Sequence, residues 1–219
     1  MKRIKSSWVG LLLLLLFLAV GCASAPVLRE AVQVDLSVPV GTIENNQFTG
    51  IRYPFKVSAP SHWEIATEYP KFLLDLGFEK EGLEETQVFI FSPETRSNLQ
   101  IELSPAGRHV KFDQKTITWL TTAAAGSLTE ELKKEHGENF KVAVNPTEIY
   151  HLQGVPFAAK KSATYTVKGE KREHGWIYAF AEPYQIFIIY LVPEKGGDGD
   201  RQAIKTILDT FEYLPKETP

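Results

Sequence analysis

One thiol, five imidazoles and a glycine-rich turn are the features of this 219-residue chain whose type and spacing could do chemistry. Cys22 is the sole cysteine, so an intrachain disulfide and any multi-cysteine zinc site are excluded. No two of His62, His109, His136, His151 and His174 lie close enough in sequence to form a local ligand pair, and neither His-x-x-x-His nor His-Glu-x-x-His occurs. Glu135-His136 and Glu173-His174 are adjacent pairs whose side chains diverge in extended chain, so the histidines are expected on the outside and no metal is expected. Gly196-Gly197-Asp198-Gly199-Asp200 could cradle a phosphate at a helix start, but its two aspartates would repel one. It also lacks the further oxygen ligands of an EF-hand. The reading is a turn in which Asp198 or Asp200 caps the helix that follows. Gly-x-Ser-x-Gly is absent, and Ser127 follows Gly126 inside a predicted helix. The acid pairs Glu84-Glu85 and Glu130-Glu131 suit solvated faces better than a glycosidase cleft. Lys168, Lys171 and Arg172 read as a basic hairpin tip that keeps an edge soluble. No catalytic residue and no cofactor follow from these patterns.

The position of Cys22 says more than its reactivity. Met1–Ser7 carries Lys2, Arg3 and Lys5, and Trp8–Val20 is then apolar apart from Gly10. A short basic start, an apolar stretch and small residues beyond it describe a secretory signal peptide. The apolar stretch is shorter than the roughly 20 residues of a spanning helix. The uncharged run nevertheless extends from Ser6 to Leu28, so length alone leaves an uncleaved anchor open. Ala19-Val20-Gly21-Cys22 resembles the lipobox of bacterial lipoproteins, departing from it in having Ala19 where leucine is commonest. That resemblance implies cleavage between Gly21 and Cys22, a thioether from Cys22 to diacylglycerol, and acylation (palmitate-like chains) of the new amino terminus. Two or more chains hold a protein stably on a bilayer, each buried CH₂ contributing about 0.8 kcal/mol. Ala23 is not the acidic residue associated with inner-membrane retention in enteric bacteria, which leans toward an outer membrane and a periplasm-facing protein.

The composition, 43% hydrophobic and 23% charged, is that of a globular protein rather than a disordered or repetitive one. Net charge is −3, and removing residues 1–21 leaves 21 basic against 27 acidic side chains, or −6. So acidic a body disfavours nucleic acid as a partner. Residues 22–47 contain Pro26, Pro39, Gly41 and Asn45-Asn46 without sustained periodicity, and are read as the lipidated terminus and a flexible tether, with a possible edge strand at 32–40.

Residues 48–215 then form one domain, with 216–219 as a tail. Strands are expected at Ile51–Val57, Trp63–Thr67, Gln87–Phe91 and Asn98–Leu103, with Gln100 and Glu102 on a wet face. A long helix, Asp113–Glu135, carries the stripe Ile117, Leu120, Ala124, Leu128 and Leu132, with Asp113 as N-cap and Gly137 as terminator. Further strands are expected at Thr147–Leu152, Ala158–Val167, Arg172–Ala181 and Tyr184–Val192, the last a central strand, before a closing helix at Asp200–Phe211. Trp119, Trp176, Tyr178, Phe180, Tyr184, Phe187 and Tyr190 are expected mostly in the core.

These elements make an α+β protein, a mostly antiparallel sheet flanked by helices. Their order, with Ala59-Pro60-Ser61-His62-Trp63 near the start and Ile207-Leu208-Asp209-Thr210-Phe211 at the close, resembles the PsbP/Mog-like α/β/α sandwich over residues 50–214. Members of that family serve as photosystem extrinsic subunits, partners of a small GTPase or envelope lipoproteins, so the resemblance implies a binding or assembly module. It transfers no functional residue, and fold alone does not carry function. The expected protein is a lipid-anchored envelope lipoprotein, not an enzyme, whose domain binds an unidentified envelope protein. One alternative is a carrier or sensor of a small apolar ligand, betrayed by a cavity between sheet and helix. Another is an envelope hydrolase, which needs histidine or carboxylates converging beside a serine, threonine or metal.

Overall fold

The computed structural model describes residues 32–76, 86–108 and 110–214. The leader with Gly21 and Cys22 lies outside the described residues, as does His109. In chain order the elements are β1 (Gly41–Glu44), β2 (Gln47–Gly50), β3 (Phe55–Ser58), β4 (Glu64–Ala66), α1 (Phe72–Asp75), β5 (Thr86–Phe91), β6 (Asn98–Pro105), α2 (Gln114–His136), β7 (Val142–Val144), β8 (Glu148–Ile149), β9 (Phe157–Val167), β10 (Glu170–Ala181), β11 (Tyr184–Pro193), α3 (Gly197–Thr210) and β12 (Glu212–Tyr213). They build two antiparallel sheets, a large one ordered β4-β5-β6-β11-β10-β9-β7 with β8 also on β9, and a small one ordered β1-β2-β3-β12. The fold is α+β. β11 is central, with β6 on one side and β10 on the other.

Strand alternation divides the large sheet's residues between two cores. Val88, Ile90, Leu99, Ile101, Ile186 and Ile188 meet Phe48, Phe55 and Val57 of the small sheet and Ile204, Ile207 and Phe211 of α3. On the other face α2 lays Ile117, Ala125 and Leu132 over β9 and β10. Asp113 is its N-cap, accepting from the Thr116 N–H at 2.7 Å, and Gly137 ends it with φ +99°, where other residues are strained.

Several elements differ from the sequence expectation for identifiable reasons. Packing begins earlier than residue 48: β1 falls inside the segment read as tether, and Val32, Val34 and Val40 pack on the main core. The strand assigned to 32–40 is absent, and Asn45-Asn46 is instead the two-residue turn of the β1–β2 hairpin, with φ of +49° and +57°. Ile51–Val57 is not one strand. The chain doubles back after Gly50, where a Cβ would sit 2.1 Å from the Tyr53 carbonyl. Thr147–Leu152 shrinks to β8, and β7 and β12 were not anticipated. Gln100 is fully buried rather than wet, in a strand neighbouring Phe89 and Phe91, whose rings meet Tyr69 and Phe72 from the α1 side.

Candidate functional site

Lys168 and Gly169, with φ of +51° and +85°, turn β9 into β10 and fix their register. That register sets Tyr165 opposite Arg172, Ala163 opposite His174 and Lys161 opposite Trp176. Directly paired residues share a face, here the one beneath α2. Trp176 donates its indole N–H to the Thr121 carbonyl at 2.8 Å, locking the middle of α2 to the sheet. Beyond that bond a run of aromatic rings continues toward the helix end. Trp176–His174, His174–Tyr165, Tyr165–Phe140 and Phe140–His136 are separated by 6.2, 6.4, 6.1 and 4.8 Å between centroids.

Above these rings lies a cavity of about 180 Å³. Leu76, Leu128, Leu132, Val167 and Leu191 supply its apolar wall; Tyr165, Arg172 and His174 come from the strands, and Glu131, Glu135 and His136 from the last turns of α2. His174 is 9% exposed, and burial pushes its pKa down to about 4, so the ring is neutral at pH 7. Its Nδ1 is 3.4 Å from the Tyr165 hydroxyl, a long contact. Tyr165 is itself shifted up, chiefly by burial, with Arg172 opposing and Glu135 adding to the shift. The Arg172 side chain is 16% exposed and reaches Glu170 Oε2 through Nε at 3.3 Å.

A larger space of about 400 Å³ adjoins Val34, Leu36, Tyr53, Leu103 and Pro105. Its cation, Arg52, is already turned to the carbonyls of Leu36 and Val38 at 3.1 and 3.0 Å. On the opposite face of β9 and β10, Lys160 lies 5.4 Å from the ring centres of both Tyr150 and Tyr190, and burial lowers its pKa. The cavity under α2 is therefore the place where apolar wall and convergent polar groups coincide, the combination small-molecule sites share.

The glycine-rich turn does different work from that expected. The first residues of α3 have no side-chain cap. Asp200, 7% exposed, instead accepts the hydroxyls of Ser97 (2.6 Å) and Thr95, tying the β5–β6 turn to α3. Gly196 lies against that cluster, where a Cβ would be 2.4 Å from Ser97 Oγ. His62, His136 and His151 are exposed as expected, whereas His174 is buried. Arg172 is not a free basic tip but part of the cavity. Trp176, Phe180, Tyr184 and Tyr190 are core, Tyr178 and Phe187 are half-buried, and Trp119 is 66% exposed. Among the described residues no group of three or more His, Cys, Asp or Glu side chains is placed to hold a metal ion. Sequence reasoning missed Tyr165, Arg172 and His174 as a set; the period-two series Arg172, His174, Trp176 was the available signal.

No protein-family model and no curated protein matches the chain. Solved structures do. Cyanobacterial PsbP (CyanoP) from Synechocystis sp. PCC 6803 superposes with a TM-score of 0.51 at 11% identity, covering 84% of this chain and 98% of that one. LpqN, involved in cell envelope biogenesis of Mycobacterium tuberculosis, superposes with a TM-score of 0.51 at 13% identity, covering 85% and 91%. At such identities the likeness establishes a PsbP-like fold.

Proposed function

We propose that this chain is a bacterial cell-envelope lipoprotein, anchored by lipid on Cys22 after cleavage at Gly21, whose folded part is a non-catalytic binding or assembly module. The observation that carries the reading is the run from Lys2 through the apolar stretch to Ala19-Val20-Gly21-Cys22, with the only thiol of the chain at the lipobox position. The likeness to LpqN, a protein involved in cell envelope biogenesis, supports the compartment. In a Gram-negative host Ala23, in place of an acidic residue, favours an anchor in the outer membrane, facing the periplasm. Val32, ten residues after Cys22, already packs on the main core, and ten residues span at most about 33–36 Å. The module therefore works close to the bilayer. Replacing Cys22 with Ser should release the protein from the membrane fraction with its leader uncut, and block incorporation of labelled fatty acid; normal labelling of that variant would sink the proposal. The cavity between α2 and the large sheet favours a second reading of the module, in which what it binds is a small ligand.

A further inference from the structure

We infer that the cavity under α2 binds a small zwitterion with an apolar side chain, a compound of the α-amino-acid class. Arg172 is largely covered and has one side-chain partner, Glu170 through Nε, so its terminal nitrogens have none among the described residues. Its free donors are open to the cavity, and the planar fork of a guanidinium suits a carboxylate. His174 adds a ring nitrogen to the same wall: its Nδ1 is 3.4 Å from the Tyr165 hydroxyl, and Nε2 has no partner among the described residues. Glu131 and Glu135, four residues apart on α2, put two exposed carboxylates on the other side of the opening. Leu128, Leu132 and Leu191 line the space between.

The two signs of charge select among ligand classes. A neutral apolar molecule would leave the Arg172 donors unpaired. A simple carboxylate would satisfy Arg172 but face Glu131 and Glu135, and a simple amine would do the reverse. A molecule carrying both groups meets both walls and leaves its side chain for the leucines. The size agrees: an apolar protein cavity of about 150 Å³ admits benzene, so about 180 Å³ has room for the side chain of leucine or phenylalanine.

The inference rests on the ligand-binding reading of the module and not on the anchor, so the Cys22→Ser result leaves it standing or falling by itself. The test is isothermal calorimetry on the full chain in detergent, with L-leucine, L-phenylalanine, 3-methylbutanoate and 3-methylbutylamine as probes. A ligand of this size is expected to bind with Kd between about 10 µM and 1 mM, at least roughly tenfold tighter for the amino acids than for either singly charged analogue. Arg172→Gln should weaken leucine binding by roughly tenfold or more. The double variant Glu131→Gln/Glu135→Gln, on an exposed helix face, should erase the preference for leucine over 3-methylbutanoate, and it carries the test should Arg172→Gln fail to fold. Absence of binding by all four probes overturns the inference. So does equal affinity for leucine and 3-methylbutanoate in the parent chain, or a double variant that keeps the preference.

Discussion

Acid should destabilise this protein through one ring. In the folded chain His174 titrates at about 4 because burial disfavours its cation, whereas an unfolded histidine titrates near 6.5. Between those values the unfolded state binds the extra proton, so stability rises with pH, with a slope of up to about 1.4 kcal/mol per pH unit. The contribution is complete above pH ~6.5, is lost as pH falls toward about 4, and amounts to about 3 kcal/mol over the window. For a domain whose total stability is about 5–15 kcal/mol, that is a visible fraction. Tyr165, Arg172, Glu131, Glu135 and His136 share the cavity with this ring, so the informative quantity is a difference. His174→Phe keeps an aromatic body in the same place and removes the titration, together with the long Tyr165 contact, whose loss shifts stability equally across this pH range. Urea unfolding of both proteins from about pH 7 to about pH 4 should show the parent losing about 3 kcal/mol more than the variant, with equal m values. In a proton NMR titration the parent should retain a neutral ring down to about pH 4. Parallel stability curves, or a ring that titrates near its ordinary value, would refute the reasoning.

Two substitutions test the packing that frames the site. Asp200→Ala removes the acceptor of two hydroxyls, one of them on the fully buried Ser97, and should cost about 2–4 kcal/mol in chemical unfolding, with Asp200→Asn nearer 1–2 because one carbonyl oxygen remains. An unchanged midpoint for Asp200→Ala would mean that the β5–β6 turn is held by something else. Gly175→Ala puts a Cβ 2.0 Å from Tyr190 Cζ and 2.2 Å from its hydroxyl oxygen, in a core where Tyr190 is 3% exposed, and should lose about 1–3 kcal/mol or more. Combining it with Tyr190→Leu, which shortens the obstructing side chain, should recover part of that loss; an additive loss would show that the contact is not the cause.

What could be read from the chain follows from how local each signal is. The long helix was legible because its cap, its stripe and its terminating glycine all lie within 25 residues and agree. The central position of β11 was legible because an almost wholly apolar strand has to be covered on both faces. The hairpin turn at Lys168-Gly169 is a two-residue event and was equally clear, whereas Asn45-Asn46, the same kind of turn, was overlooked because the flanking strands are four residues long and mostly exposed. Of the small sheet only the stretch around β3 was legible, inside the strand expected at Ile51–Val57. Its last strand, β12, pairs with β3 from more than 150 residues away, and no local pattern announces such a pairing. The burial of Gln100 and His174 belongs to the same class. Alternation assigns each to a face but does not say whether another segment lies over that face.

The cavity itself has a cause in residue size. In the middle of α2, small side chains meet small ones: Ala125 packs by Ala163, and the Thr121 hydroxyl lies 3.4 Å from the Ala159 carbonyl, so helix and sheet approach closely. The indole bond from Trp176 to the Thr121 carbonyl fixes that approach. Toward the end of the helix Leu128 and Leu132 face Tyr165 and Val167, larger side chains that hold the two layers further apart. Close packing at one place and bulky contact a turn or two later leaves a wedge, and protein interiors do not leave wedges empty without loss of contact energy. In an ordinary core a longer apolar residue would fill it. Here Arg172, His174, Glu131 and Glu135 border the wedge beside its leucines, and no ion pair joins Arg172 to either glutamate across it. Helix and strands thus supply the space by steric mismatch and the polarity by sequence. An occupant that completes both restores the contacts that the mismatch removes.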